Sequence, residues 1–169
     1  MRIADKIFER LKTETSCVYA VPGGGAMFLV DALGRSGIKY VATVHEQGAG
    51  YAALSHGMLG ELGVCLVTAG PGATNAFTPC AAAWMDSIPV LFISGQPKST
   101  TLIGHSGLRT RGVQELDVVS MAKPITKLAY QPTETDCLST LDKMIALCRD
   151  GRAGPCWLSV PLDVQGAPC

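Results

Sequence analysis

The sequence predicts an α/β fold in three layers, a six-stranded parallel sheet held between two layers of helices. Three observations point there. Six short apolar runs alternate with segments whose apolar residues recur at three- and four-residue spacing, the pattern of strand–helix–strand units. The run Pro89-Val90-Leu91-Phe92-Ile93-Ser94 does not alternate, as expected of a strand covered on both faces. Three strand ends meet Gly-rich or polar loops, Pro22 to Gly25, His45 to Gly48 and Gly70 to Asn75. Parallel strands would gather these loops into one shelf at the edge where open sheets bind ligands.

The elements follow in order. Ile3, Ile7, Phe8 and Leu11 mark an amphipathic first helix, with charged residues between them. Cys17 to Val21 is a short strand broken by Pro22 and three glycines. Met27 to Arg35 returns to helical spacing and stops at Gly37. A strand, expected to be buried, spans Lys39 to Val44 and ends at His45-Glu46-Gln47. The helix from about Gln47 to Leu59 is rich in small residues, as is a second running from the Gly70 loop to about Met85. Glycine is a poor helix former, so close approach of another backbone or a ligand is the expected reason. Gly63 to Thr68 is the strand between them. Gly95 to Gly112 is a polar loop of a length usually tied to function. Val113 to Met121 reads as a short helix, Ile125 to Tyr130 as a strand, Glu134 to Arg149 as a helix and Pro155 to Val160 as the last strand.

Composition bounds the function. A chain of 169 residues suits one domain that buries roughly 70% of its unfolded surface. It is 47% hydrophobic and 17% charged, which leaves few charges for the surface and fits partial cover by a partner. Fourteen basic and 14 acidic residues balance without a basic block, against nucleic acid as partner. The apolar runs are too short to span a bilayer, and Met1 to Glu14 is no signal peptide. Seven cysteines without a C-x-x-C pair read as reduced, buried thiols, which favours the cytoplasm, and no metal site is expected of them.

The candidate chemistry centres on Glu46. A carboxylate where a buried strand meets a helix is poorly solvated, and poor solvation raises proton affinity. The same residue also reads as a first-turn glutamate favoured by the helix dipole. Gly23-Gly24-Gly25 followed by Ala26, Met27 and Phe28 does not match the dinucleotide fingerprint. It can be a tight turn only, as can Gly70-Pro71-Gly72, with Asn75 capping the next helix. His45 can orient a neighbour, His56 can face solvent, and His105 sits in the long loop.

The ordered motifs resemble one family. They are Val21-Pro22-Gly23-Gly24, His45-Glu46-Gln47-Gly48-Ala49, Cys65 to Asn75, Met85-Asp86-Ser87-Ile88-Pro89, Ser94-Gly95-Gln96, Val113-Gln114-Glu115, Lys123 to Lys127 and Gly151 to Pro155. In this order they resemble the N-terminal, pyrimidine-binding (PYR) domain of thiamine-diphosphate enzymes of the acetolactate synthase type. The resemblance implies the thiamine-diphosphate-binding fold of PYR type over residues 1–169. It implies that Glu46 bonds ring nitrogen N1' of the aminopyrimidine and favours the imino form that deprotonates the thiazolium. Pro71 and Asn75 would line the pyrimidine pocket, Pro22 and Gly23 would start a loop closing over the cofactor, and Gln114 would reach the substrate. The implied substrate is a 2-oxo acid such as pyruvate, decarboxylated with transfer of two carbons.

Two departures from the family pattern stand out. Leu54-Ser55-His56-Gly57-Met58 replaces a segment usually read as Asp-Gly-Tyr-Ala-Arg, and Val113 stands where many synthases place Phe. Nor is there a Gly-Asp-Gly motif, the mark of the pyrophosphate-binding (PP) domain that holds the diphosphate through Mg2+. The central and PP domains are expected to be absent from this chain. A PP domain or subunit is the expected partner, with a homodimer formed through the PYR helices. The alternative from another class is a non-catalytic PYR fold kept for dimerisation or regulation.

Overall fold

The computed structural model describes Met1–Cys169. Helix α1 (Ile3–Leu11) precedes strand β1 (Cys17–Ala20), helix α2 (Met27–Ser36) and strand β2 (Lys39–Ala42). Helix α3 (Glu46–Met58) leads to β3 (Gly63–Val67), then two helices, α4 (Pro71–Asn75) and α5 (Phe77–Asp86). Strand β4 (Val90–Gln96) opens the long loop, which ends at α6 (Val118–Ala122). The chain closes with β5 (Leu128–Tyr130), α7 (Cys137–Arg149), β6 (Cys156–Pro161) and α8 (Leu162–Gly166). All six strands pair in parallel in the order β2-β1-β3-β4-β6-β5. The three-layer, six-stranded parallel architecture is the one the sequence predicts.

Two apolar layers hold the sheet. On one face Ile7, Phe8, Leu29, Leu141 and Met144 from α1, α2 and α7 pack on Val64, Leu66, Leu91 and Leu158. On the other, Ala49, Ala53, Cys80, Ala83 and Val118 from α3, α5 and α6 form a second cluster with Cys65, Val67, Phe92 and Trp157. Its ring stacks on Phe92 at 5.1 Å and meets Phe77 edge-on at 5.0 Å, while Nε1 donates to Ser94 Oγ at 3.0 Å. The buried indole N–H therefore keeps a partner. Small residues let α3 and α5 close up: a Cβ on Gly50 would stand 2.3 Å from Pro79 Cγ. Close approach within the chain accounts for that glycine, as expected, whereas Gly48 meets nothing nearer than Thr43 at 3.8 Å.

Several elements differ from expectation. Strand β2 is an edge strand, exposed along its whole length, and ends at Ala42, so the buried strand expected before Glu46 is not buried. The second small-residue helix is two helices parted at Ala76. Pro79 has no N–H for the carbonyl of Asn75, so a continuous helix would lose that bond; restarting at Phe77 leaves Pro79 in a first turn, where none is needed. Pro71, at the first position of α4, is favoured for the same reason. Residues 113–117 are not helical; Asp117 caps α6 by accepting from Ser120 N at 3.1 Å. Lys123–Ile125 forms a 3-10 turn before β5, and Asp136 is tied to Thr133 so that α7 starts later than expected. Helix α8 was not expected. No helix is long and apolar enough to cross a membrane.

Candidate functional site at the carboxyl edge of the sheet

From β1 the chain first passes to β2 on one side and then crosses to β3 on the other. Such a reversal opens a crevice beyond the carboxyl ends of β1 and β3. The loops predicted to form one shelf meet here. After β1, Gly25 N donates to Thr68 Oγ1 at 3.1 Å, and a Cβ on Gly23 would stand 2.6 Å from Thr68 Cβ. After β3, Gly70 takes φ 55°, and a Cβ there would lie 2.0 Å from the carbonyl oxygen of Gln114. Only glycine suits that position. Gln114 itself sits at φ 57°, uncommon for a residue with a side chain, and its side chain is exposed beside the crevice.

Glu46 is the first residue of α3. His45 caps the helix, its Nδ1 accepting from Gln47 N at 3.1 Å, and Thr43 Oγ1 donates to the His45 carbonyl at 2.9 Å. The turn projects the Glu46 side chain back over α4, where Asn75 Nδ2 donates to its Oε2 at 2.9 Å. The other oxygen has no hydrogen-bond partner in the chain and lies 3.2 Å from where a Cβ on Gly72 would be. Glu46 is half-buried rather than enclosed, because the strand before it lies at the sheet edge. As a first-turn residue the carboxylate is favoured by the helix dipole, and Asn75 orients it. Asn75 is the last residue of α4 and points at Glu46; it does not cap α5, whose start has no side-chain cap.

The other candidates fall as follows. Pro71 is exposed at the start of α4, beside Gly72. Pro22 borders a small cavity of about 80 Å³ with Val30, Leu33, Tyr40 and Ala42, and it is Gly23 that touches Thr68. His56 does not face solvent. Its Nδ1 lies 3.2 Å from Tyr19 Oη and its Nε2 2.9 Å from Glu61 Oε2. Burial, helped by Glu46 nearby, pushes the Cys65 thiol well above its ordinary value, so it stays a neutral thiol under the crevice. A cavity of about 600 Å³ between Trp84, Met85, Lys127, Arg152 and Ala153 precedes β5 and β6 and so lies at the opposite edge. No three His, Cys, Asp or Glu side chains converge as metal ligands.

Three residues that brace the site were not singled out from sequence. Thr68 ties the glycine turn to β3. Gln165 on α8 donates through Nε2 to the carbonyls of Gly25 and Val160, both at 2.8 Å. Glu115 is buried and accepts from the backbone N–H of Ile103 (2.6 Å), Arg111 (3.0 Å) and Gly112 (2.9 Å). Burial opposes its charge, but those three donors prevail and hold its carboxyl below the ordinary value. For Thr68 and Glu115 the signal was their place inside the quoted motifs, and Gln165 closes Pro161-Leu162-Asp163-Val164-Gln165, a segment whose wording also resembles acetolactate-synthase-like proteins; its distant bonding partners were not readable.

Residues 1–121 match the family described as thiamine pyrophosphate enzyme, N-terminal TPP binding domain. The chain belongs to that family. It is 39% identical over 153 residues to the acetolactate synthase large subunit of Corynebacterium glutamicum, covering 89% of this chain and 24% of that protein. It is 41% identical over 152 residues to the acetolactate synthase isozyme 3 large subunit of Escherichia coli, covering 87% and 25%. With the acetolactate synthase of Mycobacterium leprae it shares 36% over 159 residues, 92% and 24%. The chain thus spans about a quarter of the length of the curated relatives it matches, and corresponds to their N-terminal PYR-type domain.

Proposed function

We propose that this chain is the pyrimidine-binding half of a thiamine-diphosphate-dependent, acetolactate-synthase-like enzyme that decarboxylates a 2-oxo acid such as pyruvate and transfers the two-carbon unit. The observation that carries the reading is the Glu46–Asn75 pair at the switch-point crevice, with one carboxylate oxygen fixed and the other free over Gly72. An aminopyrimidine needs a proton-sharing oxygen and a flat floor, and Oε1 and Gly72 fit both needs. When bound, thiamine diphosphate supplies the carbanion chemistry. Glu46 Oε1 is the atom that holds and shares the proton with the ring nitrogen, Asn75 keeps the carboxylate oriented, and Pro71 and Gly72 line the pocket. Pro22 and Gly23 begin the loop over the cofactor, and Gln114 faces the substrate. The diphosphate and Mg2+ are assigned to a PP domain on another segment or another chain, as the resemblance to the acetolactate synthase type implies. Alone, these residues would not turn over substrate.

Pairing of two copies through α3 and α5 completes the proposal, since these helices expose Tyr51 and Trp84. Seven free thiols, five of them buried, fit a reducing compartment, and the cytoplasm is the location we propose, to be checked by cell fractionation. The catalytic role is tested by mixing the chain with a PP-domain protein, Mg2+, thiamine diphosphate and pyruvate. Glu46→Gln should lower turnover by about 10²–10⁴-fold, the usual scale of a lost acid–base group. Unchanged turnover would overturn the role of Glu46. No turnover with any PP partner would favour the non-catalytic alternative, a PYR fold kept for dimerisation or regulation.

A further inference from the structure

The loop after β4 carries a charge imbalance that the proton relay does not use. From Pro97 to Gln114 it holds Lys98, His105, Arg109 and Arg111 and no Asp or Glu, in a chain whose net charge is zero. The basic partners of the chain's ion pairs are Arg2, Lys6, Arg10, Arg35, His56 and Arg149; Lys98, Arg109 and Arg111 are in none. The two carboxylates that touch the loop are occupied by its other groups. Asp163 accepts from Ser99 N at 3.0 Å and Ser99 Oγ at 3.1 Å, and Glu115 accepts three backbone N–H groups. The Arg111 charge reaches Glu115 only through space, as the smallest influence on it. Both acids shape the loop; Lys98 and Arg109 have no carboxylate partner, and Arg111 meets Glu115 only through space.

The loop also closes on itself. A Cβ on Gly112 would lie 2.5 Å from Pro97 Cβ, so Lys98 and Arg111 flank a tight contact between the two ends. A cavity of about 300 Å³ opens beside that contact, lined by Lys98, Thr101, Val113 and Gln114 with Gly25 and Leu162. It sits at the carboxyl end of β4, on the same edge as the Glu46 crevice, and shares Gln114 with it. Like charges on one short loop repel within a Debye length of about 8 Å, and a bound anion relieves that repulsion. A monocarboxylate such as pyruvate brings a single charge. Arginine offers a planar fork for an oxyanion, and lysine a compact charge beside it.

We infer that Lys98 and Arg111, with Arg109 adding to the field, bind a multiply charged oxyanion, so the acceptor of the two-carbon unit carries a phosphate or a second carboxylate. This rests on the proposed function and adds the substrate class. It is tested on the chain without cofactor or partner by calorimetric titration with inorganic phosphate, 2-oxoglutarate and pyruvate. Phosphate or 2-oxoglutarate should bind at least tenfold more tightly than pyruvate, and more weakly as salt is raised. Phosphate ahead of 2-oxoglutarate marks a phosphorylated acceptor, and the reverse a dicarboxylic one. The double variant Lys98→Gln with Arg111→Gln should lose the preference with its melting temperature unchanged, while Lys39→Gln, at the far edge strand, should keep it. Equal binding of all three anions, or a preference that survives the double variant, overturns the inference. Glu46→Gln should leave this titration as it is, so the anion site and the proton relay can fail separately.

Discussion

Gly70 is the residue on which the crevice depends most directly. Its φ of 55° and the carbonyl of Gln114, 2.0 Å from any Cβ, exclude a side chain for two independent reasons. With ψ at −116° the backbone lies outside the left-handed region that ordinary residues can enter, which costs about 1–3 kcal/mol, and forcing atoms into filled space costs about 1–3 kcal/mol more. Gly70→Ala should therefore lower stability by about 3 kcal/mol, a fall of roughly 6–12 °C in melting temperature for a chain of this size. Gly24→Ala is the matched control, since nothing lies within 4 Å of a Cβ there. Differential scanning calorimetry of the two variants separates crowding at the crevice from the mere loss of a glycine. Equal melting temperatures would refute the account of Gly70.

At the scale of elements, the segment between β4 and α6 owes its shape to one buried carboxylate. Three N–H groups converge on Glu115, and hydrogen bonds to a charged acceptor contribute about 1.5–3 kcal/mol each when neither partner is left over. Because the folded carboxyl is held below its ordinary value, its stabilisation is complete above the ordinary value and is lost as the pH falls on through the lower, folded one. Glu115→Gln should lower the protection factors of the Ile103, Arg111 and Gly112 amides by at least about tenfold at neutral pH, and acidification of the unaltered chain should lower them too once the slower intrinsic exchange in acid is divided out. Hydrogen-exchange NMR reads both. Unaltered protection in the variant would mean that the loop is shaped by other contacts.

For the whole molecule, two copies are expected to pair. Sedimentation velocity over a range of concentrations should show a dimer that Trp84→Asp weakens; a strict monomer at high concentration would remove pairing from the proposal. The fold class and strand number were legible because continuous apolar runs report burial on both faces, as at Val90–Ile93. The burial of β2 was misread for a physical reason. Lys39-Tyr40-Val41-Ala42 looks like an interior strand, but whether a strand is central or at an edge depends on strand order, which no four-residue run encodes. The break at Ala76 was readable in principle from Pro79, and the inward turn of His56 was not, because its partners Tyr19 and Glu61 belong to other elements. The Glu46–Asn75 contact joins residues 29 positions apart, and only the ordered motifs suggested it.

The exposed edge strand bears on how Glu46 is held in place. β2 is paired on one side only, and its four residues end four positions before Glu46. Edge segments open at lower free energy than the strands inside a sheet. Detachment of β2 would swing the start of α3 and carry Glu46 away from Asn75 while the rest of the sheet stayed intact. Glu46 is thus mounted next to an edge strand, and whatever seals that edge in the assembled protein also holds its carboxylate on Asn75.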